Sequence, residues 1–201
     1  LSKNNNHMSV NNKILDLKSL KLIRNRLKKK KIILCHGVFD LLHVGHINYF
    51  KAARKLGDIL VVSLTDDKFV NKGPGRPAFS ISNRIKFLLE INCVDYVCVS
   101  SFNTAETIIL NLRPNFYCKG NEYTLKKIKL DKNLKEELIA LKSVKGKFKT
   151  INQTSFSSSK FINDNAYQDL DLESKKFIEE IRKKYSLNQI LGEVKKISNK
   201  K

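Results

Sequence analysis

The chain has 201 residues, 41% of them hydrophobic, with a formal net charge of +20; this length suits one domain with appendages, which can bury a core without disulfides or a structural metal. Such a charge raises the question of a polyanionic partner, yet lysine is spread along the chain and no stretch interleaves basic residues with aromatics, so nucleic acid is not the expected partner. No apolar run is long enough to span a bilayer and the polar N-terminus lacks the apolar core of a secretory signal, so no membrane contact and a cytoplasmic location are expected.

Residues 1–12, which open LSKNNNHM with no methionine before Met8, read as disordered or as a remnant of cloning. Residues 13–30 place Ile14, Leu17, Leu20, Ile23 and Leu27 at three-to-four spacing, which predicts an amphipathic helix ending in the basic run RLKKKK, where cations favour the dipole. KIILC (31–35) predicts a short buried strand, HVGHINYFKAARKLG (43–57) a helix closed by Gly57, and DILVVSLT (58–65) a second apolar strand. Strand, helix and strand in this succession make a βαβ unit, hence a parallel sheet with a right-handed crossover.

The pattern then repeats around an inserted loop. NKGPGRPAFS (71–80) holds two glycines and two prolines and predicts irregular structure. A helix from 80 to 91 capped by Ser80 or Ser82, a strand DYVCVS (95–100), a helix 104–112, a strand NFYCKG (115–120), a charged helix 131–142 and a last strand GKFKTI (146–151) follow. SFSSSKFIND (155–164) reads as a loop entering a helix. The expected class is therefore α/β, a Rossmann-like doubly wound parallel sheet with flanking amphipathic helices at both ends. Its parts are an N-terminal helix (13–30), a domain spanning 31–168, and a helical tail or linker (169–201) with apolar residues at Phe177, Ile178 and Ile181, then Leu187, Ile190, Leu191 and Val194. Cys35, Cys93, Cys98 and Cys118 mostly lie in apolar runs, without Cys-x-x-Cys spacing, and read as reduced, buried small hydrophobes.

In such a fold ligands bind beyond the carboxyl ends of the strands, where CHGVFDLLHVGH (35–46) sits. Gly37 and Gly45 would let backbone approach a phosphate, and the helix N-terminus supplies unsatisfied N–H groups and the positive end of a dipole. His43 and His46, three apart, are expected on one face of the first turn, able to donate together to one phosphoryl group. A zinc site fits poorly, because the nearest helix carboxylate lies too far along to complete the usual ligand set. Ser157, Ser158 and Ser159 offer hydroxyls at a helix start, which serve either as a second anion site or as plain N-caps.

The stretch HGVFDLLHVGH resembles the nucleotidyltransferase superfamily marked by His-x-Gly-His, and the likeness runs from about Lys31 to Asn163. It implies that His43 and His46 hold nucleotide phosphates through the transition state, with Gly37, Val38, Phe39, Asp40, Gly45 and the three serines around the nucleotide. NKGPGRPAFSISNR (71–84) resembles the Lys-Gly-x-Gly-Arg-Pro loop of the sugar-phosphate adenylyltransferases that make ADP-heptose, and LRPNFYCKGNEY (112–123) resembles their strand ending in Lys-Gly. These matches imply Lys119 among the catalytic groups and Lys72, Arg76 and Arg84 as a phosphate clamp. Asp40 has two readings, orienting a phosphate through the metal or capping the loop.

The implied reaction moves AMP from ATP, with Mg²⁺, onto a sugar 1-phosphate such as heptose 1-phosphate, releasing pyrophosphate. A sugar phosphate is already a nucleophile at neutral pH, so positioning and charge neutralisation are what the protein must supply. Relatives that use CTP commonly carry Arg-Thr-x-Gly-Ile-Ser-Thr-Thr where this chain has NQTSFSSSK, which favours ATP over a cytidylyltransferase acting on glycerol 3-phosphate. A nucleotide-binding regulator without turnover is the other alternative. A fused or associated sugar kinase, reached through the tail, and a homodimer joined by the apolar terminal helices are the expected protein partners.

Overall fold

The computed structural model describes residues 13–72, 76–121, 123, 130–152, 172, 173, 176, 177, 180, 184 and 185. The chain divides into two compact units, Leu1–Phe156 and Ser157–Lys201. In the second unit Leu172, Glu173, Lys176, Phe177, Glu180 and Lys184 are helical, and Leu172 and Phe177 are exposed. The serines 157–159 and the other apolar tail positions lie outside the described residues.

In the first unit the elements run β1 (Ile14–Leu15), α1 (Leu17–Arg26), β2 (Ile32–Gly37), α2 (Val44–Arg54), β3 (Ile59–Thr65), a 3₁₀ turn (Asp67–Phe69), α3 (Ile81–Leu89), β4 (Tyr96–Ser100), α4 (Glu106–Leu112), β5 (Phe116–Gly120), α5 (Lys132–Ser143) and β6 (Lys147–Ile151). All strand pairs are parallel, in the order β1-β4-β3-β2-β5-β6. Leaving aside the edge strand β1, this is the doubly wound order, and it reverses direction between β2 and β5. Crossovers on either side of that point lead away from each other and leave a crevice at the carboxyl ends.

Ile32 through Cys35 are completely buried, as a central strand covered on both faces requires. One core packs Ile33, Cys35, Val62 and Leu64 against Tyr49, Phe50 and Ala53 of α2 and Leu88 of α3. The other packs Ile32, Leu34, Val61 and Tyr117 against Leu20 and Ile23 of α1, Ile108, Ile109 and Leu112 of α4, and Leu134 and Leu141 of α5. Register is pinned at the amino ends by the residues just before three strands. Asp58 accepts from the Lys31 N–H at 2.7 Å, Asp95 from that of Leu60 at 2.7 Å, and Asn115 from that of Ile32 at 2.9 Å. Gly57 is required by close approach, because a Cβ there would sit 2.7 Å from the Lys31 carbonyl oxygen.

The N-terminal segment departs from the single helix expected over 13–30. Ile14 and Leu15 instead pair with Val97 and Cys98 at the sheet edge. Asp16 then caps α1, its carboxylate accepting from the Ser19 N–H at 2.7 Å, so the helix starts only at Leu17. The open β4 edge offers paired hydrogen bonds that periodicity alone does not announce. Cys35, Cys98 and Cys118 are buried free thiols, as expected, whereas Cys93 is only half-buried. Among the described residues no helix is long and apolar enough to cross a membrane.

Candidate active site

The site begins where β2 runs out at the strand-order reversal. Phe39 adopts φ 47°, left-handed for a non-glycine residue, and this turn sends its ring into the core at 8% exposure. The ring lies 5.0 Å from Phe50 and edge-on to His46 at 5.5 Å. Gly37 makes room for it, since a Cβ there would meet the Phe39 ring at 3.2 Å. Phe39 thus buttresses the helix from below, and Gly37 admits its ring.

His43 is the N-cap of α2, with φ −140° and ψ 171°, so only His46 lies within the first turn. The rings nevertheless come together, centroids 3.9 Å apart at an angle of 38°. The Gly45 N–H donates to His43 Nδ1 at 3.1 Å, which leaves the proton of the neutral ring on Nε2. His46 Nδ1 is buried and has no hydrogen-bond partner among the described residues. Burial lowers the pKa of His43, and burial followed by the charges of His43 and Lys72 brings that of His46 down to about 4. Both rings are thus neutral near pH 7, and an unsatisfied buried nitrogen marks a place where a ligand group fits.

The loop after the 3₁₀ turn is anchored by Asp40. Its carboxylate, 1% exposed, accepts from Arg76 Nε at 2.7 Å, the Ala78 N–H at 2.9 Å and the Phe79 N–H at 2.9 Å. Of the two readings of Asp40, this geometry is the loop cap. Burial pushes its carboxyl up, but the N–H groups of Phe79 and Ala78 and the Arg76 guanidinium outweigh it and hold the pKa below 3.8. A lowered carboxyl pKa contributes stability that is complete above the unfolded value and is lost as pH falls through the folded one. Asp40→Asn is therefore expected to unfold about 1–3 kcal/mol more easily at neutral pH. In urea titrations that gap should narrow below pH 3.8; a constant gap would remove the charge from the account.

Arg84 stands in place of the expected clamp as an internal strut. Its side chain is 0% exposed, and the guanidinium donates to the carbonyls of Val38 at 2.6 Å, Phe79 at 3.1 Å and Thr65 at 2.9 Å and to the Asp67 carboxylate. With those donors engaged by protein, Arg84 holds the loop, the β2–α2 turn and the end of β3 in one arrangement. Val38 is tied into this lattice through its carbonyl. Lys72 is exposed and close enough for its charge to act on His46.

Lys119, one of the last residues of β5, is 7% exposed. Its Nζ donates to the His36 carbonyl at 3.4 Å and lies 3.4 Å from Glu137 Oε2, with the rings of Tyr117 at 5.3 Å and Tyr123 at 5.1 Å. Beneath it, His36 Nδ1 meets the Ser63 hydroxyl at 3.0 Å. Burial, then the Lys119 charge, pushes the His36 pKa well below 6.5, so this third imidazole is neutral. Glu137, Tyr117 and His36 were not singled out from the sequence. The available signal was a carboxylate three residues after Leu134 and four before Leu141, on the apolar stripe of a helix.

Among the described residues no group of three or more His, Cys, Asp or Glu could hold a metal ion. Gly73, Pro74 and Gly75 of the expected clamp loop lie outside the described residues.

The family model described as cytidylyltransferase-like matches residues 34–194. The protein named "Bifunctional protein HldE" of Helicobacter hepaticus is 35% identical over 139 residues, covering 68% of this chain and 29% of that protein. Its namesake in Syntrophotalea carbinolica is 43% identical over 101 residues, 49% of this chain and 21% of that protein. The chain thus spans less than a third of the length of these relatives. Among solved structures, a lipopolysaccharide core biosynthesis protein from Thermoplasma volcanium superposes with TM-score 0.50 at 23% identity, over 64% of this chain and 99% of that one. A pantoate-beta-alanine ligase from Francisella tularensis does so with TM-score 0.50 at 16% identity, over 81% of this chain and 82% of that one. These two likenesses concern the fold.

Proposed function

The chain belongs to the cytidylyltransferase-like family, and on that premise we propose that it is a nucleotidyltransferase moving AMP from ATP to a sugar 1-phosphate, with heptose 1-phosphate as the acceptor. The observation that carries this reading is the pair of neutral imidazoles 3.9 Å apart at the start of α2, beside the crevice between β2 and β5. His43 carries its proton on Nε2, and His46 is a ring with unused hydrogen-bonding capacity at Nδ1. Lys119 from β5 and Lys72 from the loop bring positive charge to the same strand ends. Such a set stabilises charge on a transferring phosphoryl group and a departing pyrophosphate without any general base.

ATP and its Mg²⁺ enter together as substrate, and the acceptor's phosphate oxygen attacks the α-phosphorus in line. The loop resemblance supports the sugar 1-phosphate, and the segment NQTSFSSSK supports adenine over cytosine. The relatives' shared name speaks of two functions, and this chain spans less than a third of each of the two quoted above. We place a sugar kinase, fused or associated, as the activity that supplies the acceptor.

Pyrophosphate release should be measured with ATP or CTP, each with heptose 1-phosphate or glycerol 3-phosphate. Turnover confined to ATP with the heptose phosphate is the expected result. Turnover with CTP would overturn the base assignment, and turnover with glycerol 3-phosphate alone would overturn the acceptor.

A further inference from the structure

Glu137 is a buried carboxylate, 2% exposed, on a helix otherwise devoted to packing, and four groups from three elements converge on it. Its Oε1 accepts from the Ala105 N–H at 2.9 Å, at the start of α4, where the N-cap residue Ala105 has no side chain to cap with. Its Oε2 accepts from the Tyr117 hydroxyl at 2.7 Å and lies 3.4 Å from Lys119 Nζ. His36 Nε2 stands 4.0 Å from Oε1, but that ring is neutral, so the one cation balancing the carboxylate within this cluster is Lys119. Burial, then the Glu137 charge, raises the Tyr117 pKa, so the phenol stays a donor.

We propose that Glu137 is the positioning residue for Lys119: fixed by the α4 N-terminus and Tyr117, it supplies the counter-charge that keeps the ammonium at the carboxyl end of β5. The proposal rests on the nucleotidyltransfer reading for its effect on rate, though not for its effect on Lys119 itself. A buried ammonium is desolvated and holds its proton only where a nearby anion compensates. The titratable groups around the amine are Glu137 from α5, His36 and Cys35 from β2, and Tyr117 and Tyr123 from β5 and the turn after it. Of these, Glu137 is the one carboxylic acid. A purely structural carboxylate would serve α4 equally well as an amide; a charge partner would not.

The test uses the full chain and the variants Glu137→Gln and Glu137→Asp. Pyrophosphate release from MgATP and heptose 1-phosphate is followed against pH, beside Lys119→Ala and the Lys119→Ala/Glu137→Gln double variant. Glu137→Gln should lower kcat about tenfold or more, move the alkaline limb of the profile to lower pH by about one unit, and add nothing to Lys119→Ala. Glu137→Asp, which keeps the charge, should restore the limb. An unmoved limb in Glu137→Gln, or losses that multiply in the double variant, would overturn the proposal. Independently of turnover, the ¹³Cε resonance of Lys119, assigned by its absence from Lys119→Arg, should titrate at lower pH in Glu137→Gln than in the unaltered chain. A moved titration with no turnover in the unaltered chain would overturn the nucleotidyltransfer reading and keep the ion pair; an unmoved titration overturns the ion-pair role.

Discussion

His46→Ala is expected to slow pyrophosphate release by about a hundredfold or more while the protein remains folded, because loss of one preorganised donor costs about 2.7–4 kcal/mol at a transition state and each 1.36 kcal/mol is tenfold. The ring is preorganised on three sides, by its place in the first turn of α2, by the edge-on Phe39 ring at 5.5 Å and by the His43 ring at 3.9 Å. It gains nothing by reorienting when a phosphate arrives. Stopped-flow or coupled-assay turnover, with circular dichroism to verify folding, decides the matter; turnover within about threefold of the unaltered chain would remove His46 from the mechanism.

The same ring makes a pH prediction. Its folded pKa, about 4, lies below the ordinary 6.5, so the unfolded chain takes up a proton that the folded one refuses. The stability tied to the neutral ring is complete above pH 6.5 and is lost as pH falls toward 4. His46→Ala should therefore lose less stability than the unaltered chain across that window.

Arg84→Met is expected to destabilise the domain by about 3 kcal/mol, the cost of leaving three backbone carbonyls without a donor and breaking a pair whose Asp67 side is 36% exposed. Methionine fills much of the volume but leaves the carbonyls of Val38, Phe79 and Thr65 and the Asp67 carboxylate without their shared donor. Arg84→Lys should not rescue it, since one ammonium cannot reproduce a planar fork reaching acceptors on three segments. Urea unfolding measures the effect, and a change below about 1 kcal/mol would show that these acceptors find other donors. Turnover should fall as well, because Val38 precedes the α2 cap and Phe79 closes the loop that bears Lys72.

Most elements were legible from the sequence, since the apolar runs at 32–35 and 59–64 and the stripe Leu134, Leu138, Leu141 are patterns within one element. The first strand was not, because two residues carry no period; only the open edge of β4 makes Ile14–Leu15 a strand. The histidine pair was legible as a motif. The roles of Phe39 and Arg84 were not, because the same residue types beside glycines describe both a phosphate clamp and a buried brace.

By itself, then, the sequence determined the α/β alternation, the parallel sheet and the placing of two imidazoles where a strand passes into a helix, all of which depend on neighbours a few residues apart. Tertiary structure decided which charged residues face a ligand and which hold the frame. Arg84 meets Val38 across 46 residues of chain and Lys119 meets His36 across 83. Contacts at such separations follow from the strand order and from where it reverses, and burial then requires every polar group brought inside to find a partner, which is how Glu137 came to stand behind Lys119.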